Sequence, residues 1–244
     1  MNQAERLAAA IRDHQPCVAL TGAGVSTESG IPDFRSPEGI WRRFDPFEVA
    51  SIDAWRRDPA TVWEFYALRI ELLTAAEPND AHRALAALEA AGLVRAVVTQ
   101  NIDGLHQRAG SREVVEVHGS IRGASCLACG RREPLDRVVS LLPLPRCAGC
   151  GAPLKPDVVM FGELLPAGAI ERATALAREA ALLLVVGSSL EVWPVAGLPQ
   201  ETLAAGGRLA VVNRGQTPYD ARAAVAIDGG AGETLSAVAA ELVP

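Results

Sequence analysis

Four cysteines fall in two pairs, Cys126-x-x-Cys129 and Cys147-x-x-Cys150, separated by seventeen residues, and Cys17 is the only other cysteine. Two thiolates two residues apart can grip one face of a tetrahedral Zn²⁺, and a second such knuckle after a hairpin-length excursion completes a Cys₄ site. Gly130, Gly149 and Gly151 permit the turns. Two disulfides are the competing reading, but Met1 to Arg12 is too polar for a secretion signal. Four thiolates would saturate the metal, so this zinc holds structure and the chemistry lies elsewhere. Elsewhere means the ends of apolar runs. Thr21-Gly22-Ala23-Gly24-Val25-Ser26-Thr27 follows one, Gln100-Asn101-Ile102-Asp103 another, His118 a third, Gly187-Ser188-Ser189 a fourth and Asn213 a fifth. A glycine-rich strand-to-helix turn lets backbone N–H groups approach a pyrophosphate, although without the full G-x-G-x-x-G it is equally at home as a plain tight turn. His118 places an imidazole that titrates near neutrality at such an end.

The elements that must carry these groups alternate. Cys17–Leu20, Val94–Thr99, Val114–Val117, Ala181–Gly187, Arg208–Asn213 and Ala223–Ile227 are short, mostly unalternated apolar runs, the pattern of strands buried on both faces of a parallel sheet. Helical stretches separate them at Ala4–Asp13, Asn79–Ala91, Gly104–Ala109, Ala169–Ala180, Pro199–Ala205 and Gly232–Leu242. This predicts an α/β fold with a doubly wound, Rossmann-like parallel sheet, whose ligands bind at the carboxyl ends of the strands. Segments 1–34, 79–120 and 156–244 would form that domain. Segments 35–78, rich in aromatics, and 121–155, with the cysteines, would pack together as a smaller helical and zinc-binding domain.

With 244 residues, 49% of them apolar, and no run near the ~20 apolar residues of a membrane span, the chain is expected to be soluble. A formal net charge of −6 argues against the basic surface that nucleic-acid binding needs. Reduced cysteines and the absence of secretion or lipidation signals predict a cytoplasmic protein, expected to be a monomer.

Taken in order with the cysteine knuckles, Gly30-Ile31-Pro32-Asp33-Phe34-Arg35, Gln100-Asn101-Ile102-Asp103, His118-Gly119 and Gly187-Ser188-Ser189 make the chain resemble the sirtuin family of NAD-dependent protein lysine deacylases. The resemblance runs from Leu20 to Ala231-Gly232-Glu233. It implies that NAD is consumed as a co-substrate, an acyl group passes from lysine to ADP-ribose, and nicotinamide and 2′-O-acyl-ADP-ribose are released. His118 would be the general base, with Asn101 and Asp103 completing the catalytic set. Gly22, Ala23, Gly24, Ser26, Thr27, Pro32, Asp33, Phe34, Arg35, Trp41, Gln100, Ile102, Gly187, Ser188, Ser189, Asn213 and Ala231 would contact the cofactor beside them. The loop Ser36–Arg43 would close over it, with Gly39 as a hinge candidate. An acylated peptide would add as a strand between Val158, Met160, Phe161 and Gly162 on one side and Val192 on the other, Met160 replacing the family's usual aromatic. His14, His82 and His106 read as packing or surface groups.

Tyr66 and Arg69 are three apart on a predicted helix and so share a face. A phenol and a planar cation together suit a carboxylate, and the pair resembles the Tyr-x-x-Arg signature of the branch that removes succinyl and malonyl groups. An amphipathic helix with a buried tyrosine and a solvated arginine is the bland reading. An ordinary deacetylase, an ADP-ribosyltransferase and a non-enzymatic zinc-ribbon module are the competing functions.

Overall fold

The structure, a computed structural model, describes residues 2–243. In chain order it comprises α1 (Gln3–Asp13), β1 (Cys17–Thr21), α2 (Pro46–Val49), α3 (Ile52–Arg57), α4 (Pro59–Ala75), α5 (Asp80–Ala90), β2 (Ala96–Thr99), α6 (Leu105–Ala109) and β3 (Val114–Glu116). There follow β4 (Gly119–Cys126), β5 (Arg132–Pro134), α7 (Leu135–Val139), β6 (Leu154–Val158), α8 (Ala167–Glu179), β7 (Leu182–Val186), α9 (Leu198–Ala204), β8 (Arg208–Asn213), β9 (Val225–Asp228) and α10 (Ala231–Leu242). No helix among the described residues is long and apolar enough to cross a membrane.

Every residue of β1, β2 and β7 is buried, which is why these runs show no alternation. They form the centre of a six-stranded sheet ordered β3-β2-β1-β7-β8-β9, all parallel. From β1 the chain winds outward to β2 and β3, then returns to β7 and winds the other way. The strand order therefore reverses between β1 and β7, and the crevice opens at their carboxyl ends. Helices cover both faces. Leu7, Ile11, Leu85, Leu88, Leu235 and Val238 pack on one; Ala173, Leu176, Ala177 and Leu198 pack on the other. Burying each such leucine contributes about 1.5–3 kcal/mol. The predicted doubly wound sheet is borne out.

A second sheet, β5-β4-β6, is antiparallel. Its core joins helical segments and cysteine hairpin, bringing Trp55, Trp63, Phe65 and Leu73 against Ile121, Ala124, Leu154 and Val158. Trp63 is fully buried, and its indole N–H donates to the Leu154 carbonyl at 2.7 Å, tying α4 to β6. β4 starts at Gly119 and β6 ends at Val158, so this sheet overruns the predicted segment 121–155 at both ends. The overrun has a physical cause, because the Val159 N–H donates to the His118 carbonyl at 2.8 Å and carries the small sheet up to the end of β3.

α4 begins where Asp58 accepts from the Ala60 and Thr61 N–H groups with Pro59 in the first turn. It ends just before Glu77-Pro78. Val62, Tyr66, Arg69 and Leu73, spaced four, three and four, make one buried stripe, so the predicted pair does share a face.

Candidate active site

Glycine is required where β1 meets β7. A Cβ on Gly24 would lie 2.8 Å from the Gly187 Cα, and one on Gly187, whose φ is +60°, would lie 2.3 Å from the Val25 nitrogen. Gly22 and Gly24 N–H donate to the Val186 and Gly187 carbonyls at 3.1 and 2.9 Å. These two amides thus join the strand ends, and a pyrophosphate must be met by other donors of the turn. The segment after them, Ala23–Ser29, is a 3₁₀ helix.

After β2 the polar residues are locked by one hydroxyl. Asn101 Nδ2 donates to Ser26 Oγ at 3.0 Å and to the Gly22 carbonyl at 3.1 Å, and Ser26 Oγ donates to Asp103 Oδ2 at 2.8 Å. Asp103 Oδ1 accepts from the Leu105 N–H at 2.9 Å, so this carboxylate caps α6 as well as facing the cavity. Behind them His82 Nε2 lies 3.4 Å from Ser26 Oγ, while its Nδ1 accepts from the Asn79 N–H at 3.3 Å. His106 Nε2 meets Thr21 Oγ1 at 2.9 Å. Both rings are fully buried, 4.8 Å apart, and neither is on the surface. Sequence reasoning missed the part they play behind Asn101 and Asp103, since a histidine 56 positions from its serine partner carries no local signal.

Burial holds the His82 pKa down at about 4 and that of His106 at about 3. In the unfolded chain both would titrate near 6.5. Between those limits the unfolded state binds the extra protons, so stability falls as pH drops below about 6.5 and continues to fall toward the folded values. Two such rings should cost roughly 2–3 kcal/mol per pH unit within this window. Thermal unfolding between pH 7 and 5 checks this: the melting temperature should fall, and His106→Phe should flatten its pH dependence.

His118 sits half-buried just past β3. Its Nδ1 lies 3.0 Å from the Gln100 carbonyl, which can only accept, so Nδ1 carries the proton and Nε2 is the free base. Burial holds its pKa below the ordinary histidine value, the carbonyl bond opposing this weakly. Gln100 Nε2 in turn donates to Ser188 Oγ at 2.8 Å, linking the ends of β2 and β7.

One cavity of about 770 Å³ brings these groups together, a size suited to a small-molecule site. It gathers every predicted catalytic, cofactor and substrate residue except Thr27 and Ala231. The Thr27 hydroxyl donates to the Gly24 carbonyl at 3.0 Å, and Ala231 is buried as the first residue of α10. Arg214, Phe65 and Leu73 also line the cavity without having been predicted. Asp33 Oδ1 accepts from the Arg35 and Ser36 N–H groups, and Arg35 pairs with Glu191 at 3.2 Å across the cleft. Gly39, the predicted hinge, has φ −67° and lies where a Cβ would come within 2.6 Å of the Phe34 carbonyl carbon. Close packing therefore explains this glycine. Phe34 stacks on Trp41, which stacks on Phe65, at 5.1 and 6.0 Å between centroids.

Tyr66 and Arg69 line the same cavity. Arg69 is only 5% exposed, its guanidinium lies 5.3 Å from the Phe34 ring centroid, and its Nη1 has no hydrogen-bond partner among the described residues. Burial lowers its pKa below the usual value, and burial raises that of Tyr66.

The sulfurs of Cys126, Cys129, Cys147 and Cys150 all lie within 4.8 Å of one another. Cys126–Cys150 and Cys129–Cys147 are 3.4 and 3.5 Å apart, far beyond a disulfide bond and close to the ~3.8 Å edge of a tetrahedron with Zn–S of about 2.3 Å. The donor set fits one closed structural zinc.

The sequence model of the Sir2 family matches residues 22–194. This chain belongs to the Sir2 family. NAD-dependent protein deacylase 2 of Pyrobaculum aerophilum is 48% identical over 242 residues, covering 99% of this chain and 95% of its own. NAD-dependent protein deacylase 1 of Archaeoglobus fulgidus is 42% identical over 231 residues, covering 95% and 94%. A solved Sir2 homologue in complex with NAD superposes with a TM-score of 0.91 at 41% identity, covering 98% of this chain and 93% of that one. A Sir2 complex with p53 peptide and NAD⁺ gives 0.90 at 39%, covering 99% and 98%. The fold is therefore the Sir2 fold, and the cavity of this Sir2-family chain lies at the switch point of its parallel sheet.

Proposed function

We propose that this chain is an NAD-dependent protein lysine deacylase that favours acyl groups ending in a carboxylate, succinyl and malonyl, and retains deacetylation as a second activity. One observation carries the acyl preference. A guanidinium buried beside the cavity with an unpaired Nη1 is costly unless an anion meets it. A dicarboxylic half-amide supplies that anion at the end of a short chain, and the Tyr66 hydroxyl can donate to it.

The residues fit NAD. The polar ends of β1, β2, β7 and β8 converge on one cavity, and Arg35 and Arg214 supply positive charge. When bound, NAD supplies a glycosidic bond that breaks to release nicotinamide and an ADP-ribose that accepts the acyl group. The side chains divide the rest. Asn101 and Asp103 orient groups at the base of the cavity, held by Ser26. Phe34, backed by Trp41, shields the reacting centre from water. His118 removes a hydroxyl proton at Nε2. The substrate peptide docks as a strand along Val158–Gly162, opposite Val192, and Met160 gives a compliant channel wall.

Acyl-chain kinetics test this. Losing a charge-assisted contact costs ~1.5–3 kcal/mol, so Arg69→Met should lower desuccinylation kcat/KM by roughly ten- to a hundred-fold or more while deacetylation holds or rises. Tyr66→Phe should show a weaker loss, since the ring remains. Equal losses for acetyl- and succinyl-lysine peptides would mean that the pair supports α4 and does not read the acyl group.

A further inference from the structure

Of the 23 lysine and arginine residues, one alone is a lysine, Lys155, and it is buried, 7% exposed. A chain that otherwise uses arginine keeps an ammonium where its shape is needed. Lys155 Nζ donates to the Pro156 carbonyl at 3.1 Å and the Val158 carbonyl at 2.8 Å, and pairs with Glu163 Oε2 at 2.9 Å. Three acceptors match the three N–H bonds of a compact ammonium, whereas a guanidinium is planar, larger and carries five.

The same Glu163 oxygen accepts from the Met160 N–H at 2.9 Å, and the Glu163 N–H donates back to the Met160 carbonyl at 3.0 Å. This closes a turn in which Gly162 sits at φ +87°. Lys155 therefore grips the chain at Val158 and, through Glu163, at Met160. The intervening backbone is held from its other side by Val159 N–H to the His118 carbonyl and Phe161 N–H to the Ala50 carbonyl, at 2.8 and 2.9 Å. Segment 158–163 lines the cavity throughout.

We propose that Lys155, through Glu163, is a positioning residue that sets the shape of the edge on which the substrate peptide docks. Lys155 itself is not among the residues lining the cavity. The inference rests on the strand docking proposed above. It also leaves the folded chain without an exposed ε-amine among its described residues, so this deacylase offers no internal lysine of its own for acylation.

Steady-state kinetics with an acetyl-lysine peptide, on the full chain, test the proposal. Lys155→Met should raise the peptide KM about tenfold or more while ADP-ribose affinity, measured by calorimetry, stays within about twofold. Lys155→Arg should not restore the wild-type KM. Because Lys155→Met leaves a partly buried carboxylate without its cation and can fail to fold, the double variant Lys155→Met/Glu163→Gln, which removes both charges, is the decisive one. A high peptide KM in the folded double variant supports positioning. A wild-type KM there, or peptide and ADP-ribose binding weakening together, overturns it. Succinic anhydride should leave Lys155 unmodified in the native protein and modify it after denaturation; native labelling would also overturn the proposal. Peptides N-methylated beside the acyl-lysine test strand docking separately. If they bind the wild type as well as the parent peptide does, strand docking fails; if they do not, and Lys155→Met leaves the KM unchanged, only the role of Lys155 fails.

Discussion

His118→Ala should reduce deacylation of an acetyl-lysine peptide by at least the 10²–10⁴-fold typical of a lost general base, with the fold and most ADP-ribose binding intact. His118 sits at the carboxyl edge of the sheet, in the cavity, with Nδ1–H anchored on the Gln100 carbonyl and Nε2 left to accept a proton. Neither the sheet nor the core depends on the ring. His118→Tyr should behave alike, since a phenol is a poor base near neutrality. The pH profile adds a sign. Burial favours the neutral ring, so in the wild type the acid limb of kcat/KM should fall below the ordinary histidine pKa of about 6.5, and activity should be lost only as pH drops through that lower value. Turnover by a folded His118→Ala variant near the wild-type rate would remove the residue from the mechanism.

Stripping zinc with a strong chelator, or Cys126→Ser, should inactivate by loosening the smaller domain. Free energies of about 10–16 kcal/mol for structural zinc in small peptides show how much folding such a site can supply. Here Cys126 and Cys147 belong to the core that also holds Trp63, Tyr66, Val158 and Met160. Loosening the knuckles should therefore reach Tyr66, Val158 and Met160, the proposed acyl wall and docking edge, while the six-stranded sheet, built on separate clusters, keeps much of its structure. Metal analysis should find one zinc per chain, and activity should fall in step with near-ultraviolet circular dichroism. A metal-free protein that is folded and fully active would overturn this.

Much of the fold was legible because buried parallel strands and their helices advertise themselves locally. β8 was read at its observed bounds and α1 within one residue. Residues at strand ends were equally legible, since a strand fixes the direction in which its last residue emerges. The cysteine knuckles needed only spacing. Tyr66 and Arg69 could be assigned to one helix face by count, but whether that face met a cavity or solvent could not.

What remained depended on distance along the chain. Local pattern was enough for the order of the six parallel strands and their helices, the Cys₄ set and the polar groups at the sheet's carboxyl edge, but not for β4, β5 and β6 as strands. The closed chain was needed to see that Gly22 and Gly24 serve the β1–β7 crossing, that Ser26 and His82 lock Asn101 and Asp103 from behind, and that Arg69 is buried with its Nη1 unbonded among the described residues. It also set the one lysine against the Val158 carbonyl and Glu163. Local periodicity reports which face of an element is buried; hydrogen bonds between residues tens of positions apart, and the desolvation that makes an unpaired charge matter, exist only once the chain has closed on itself.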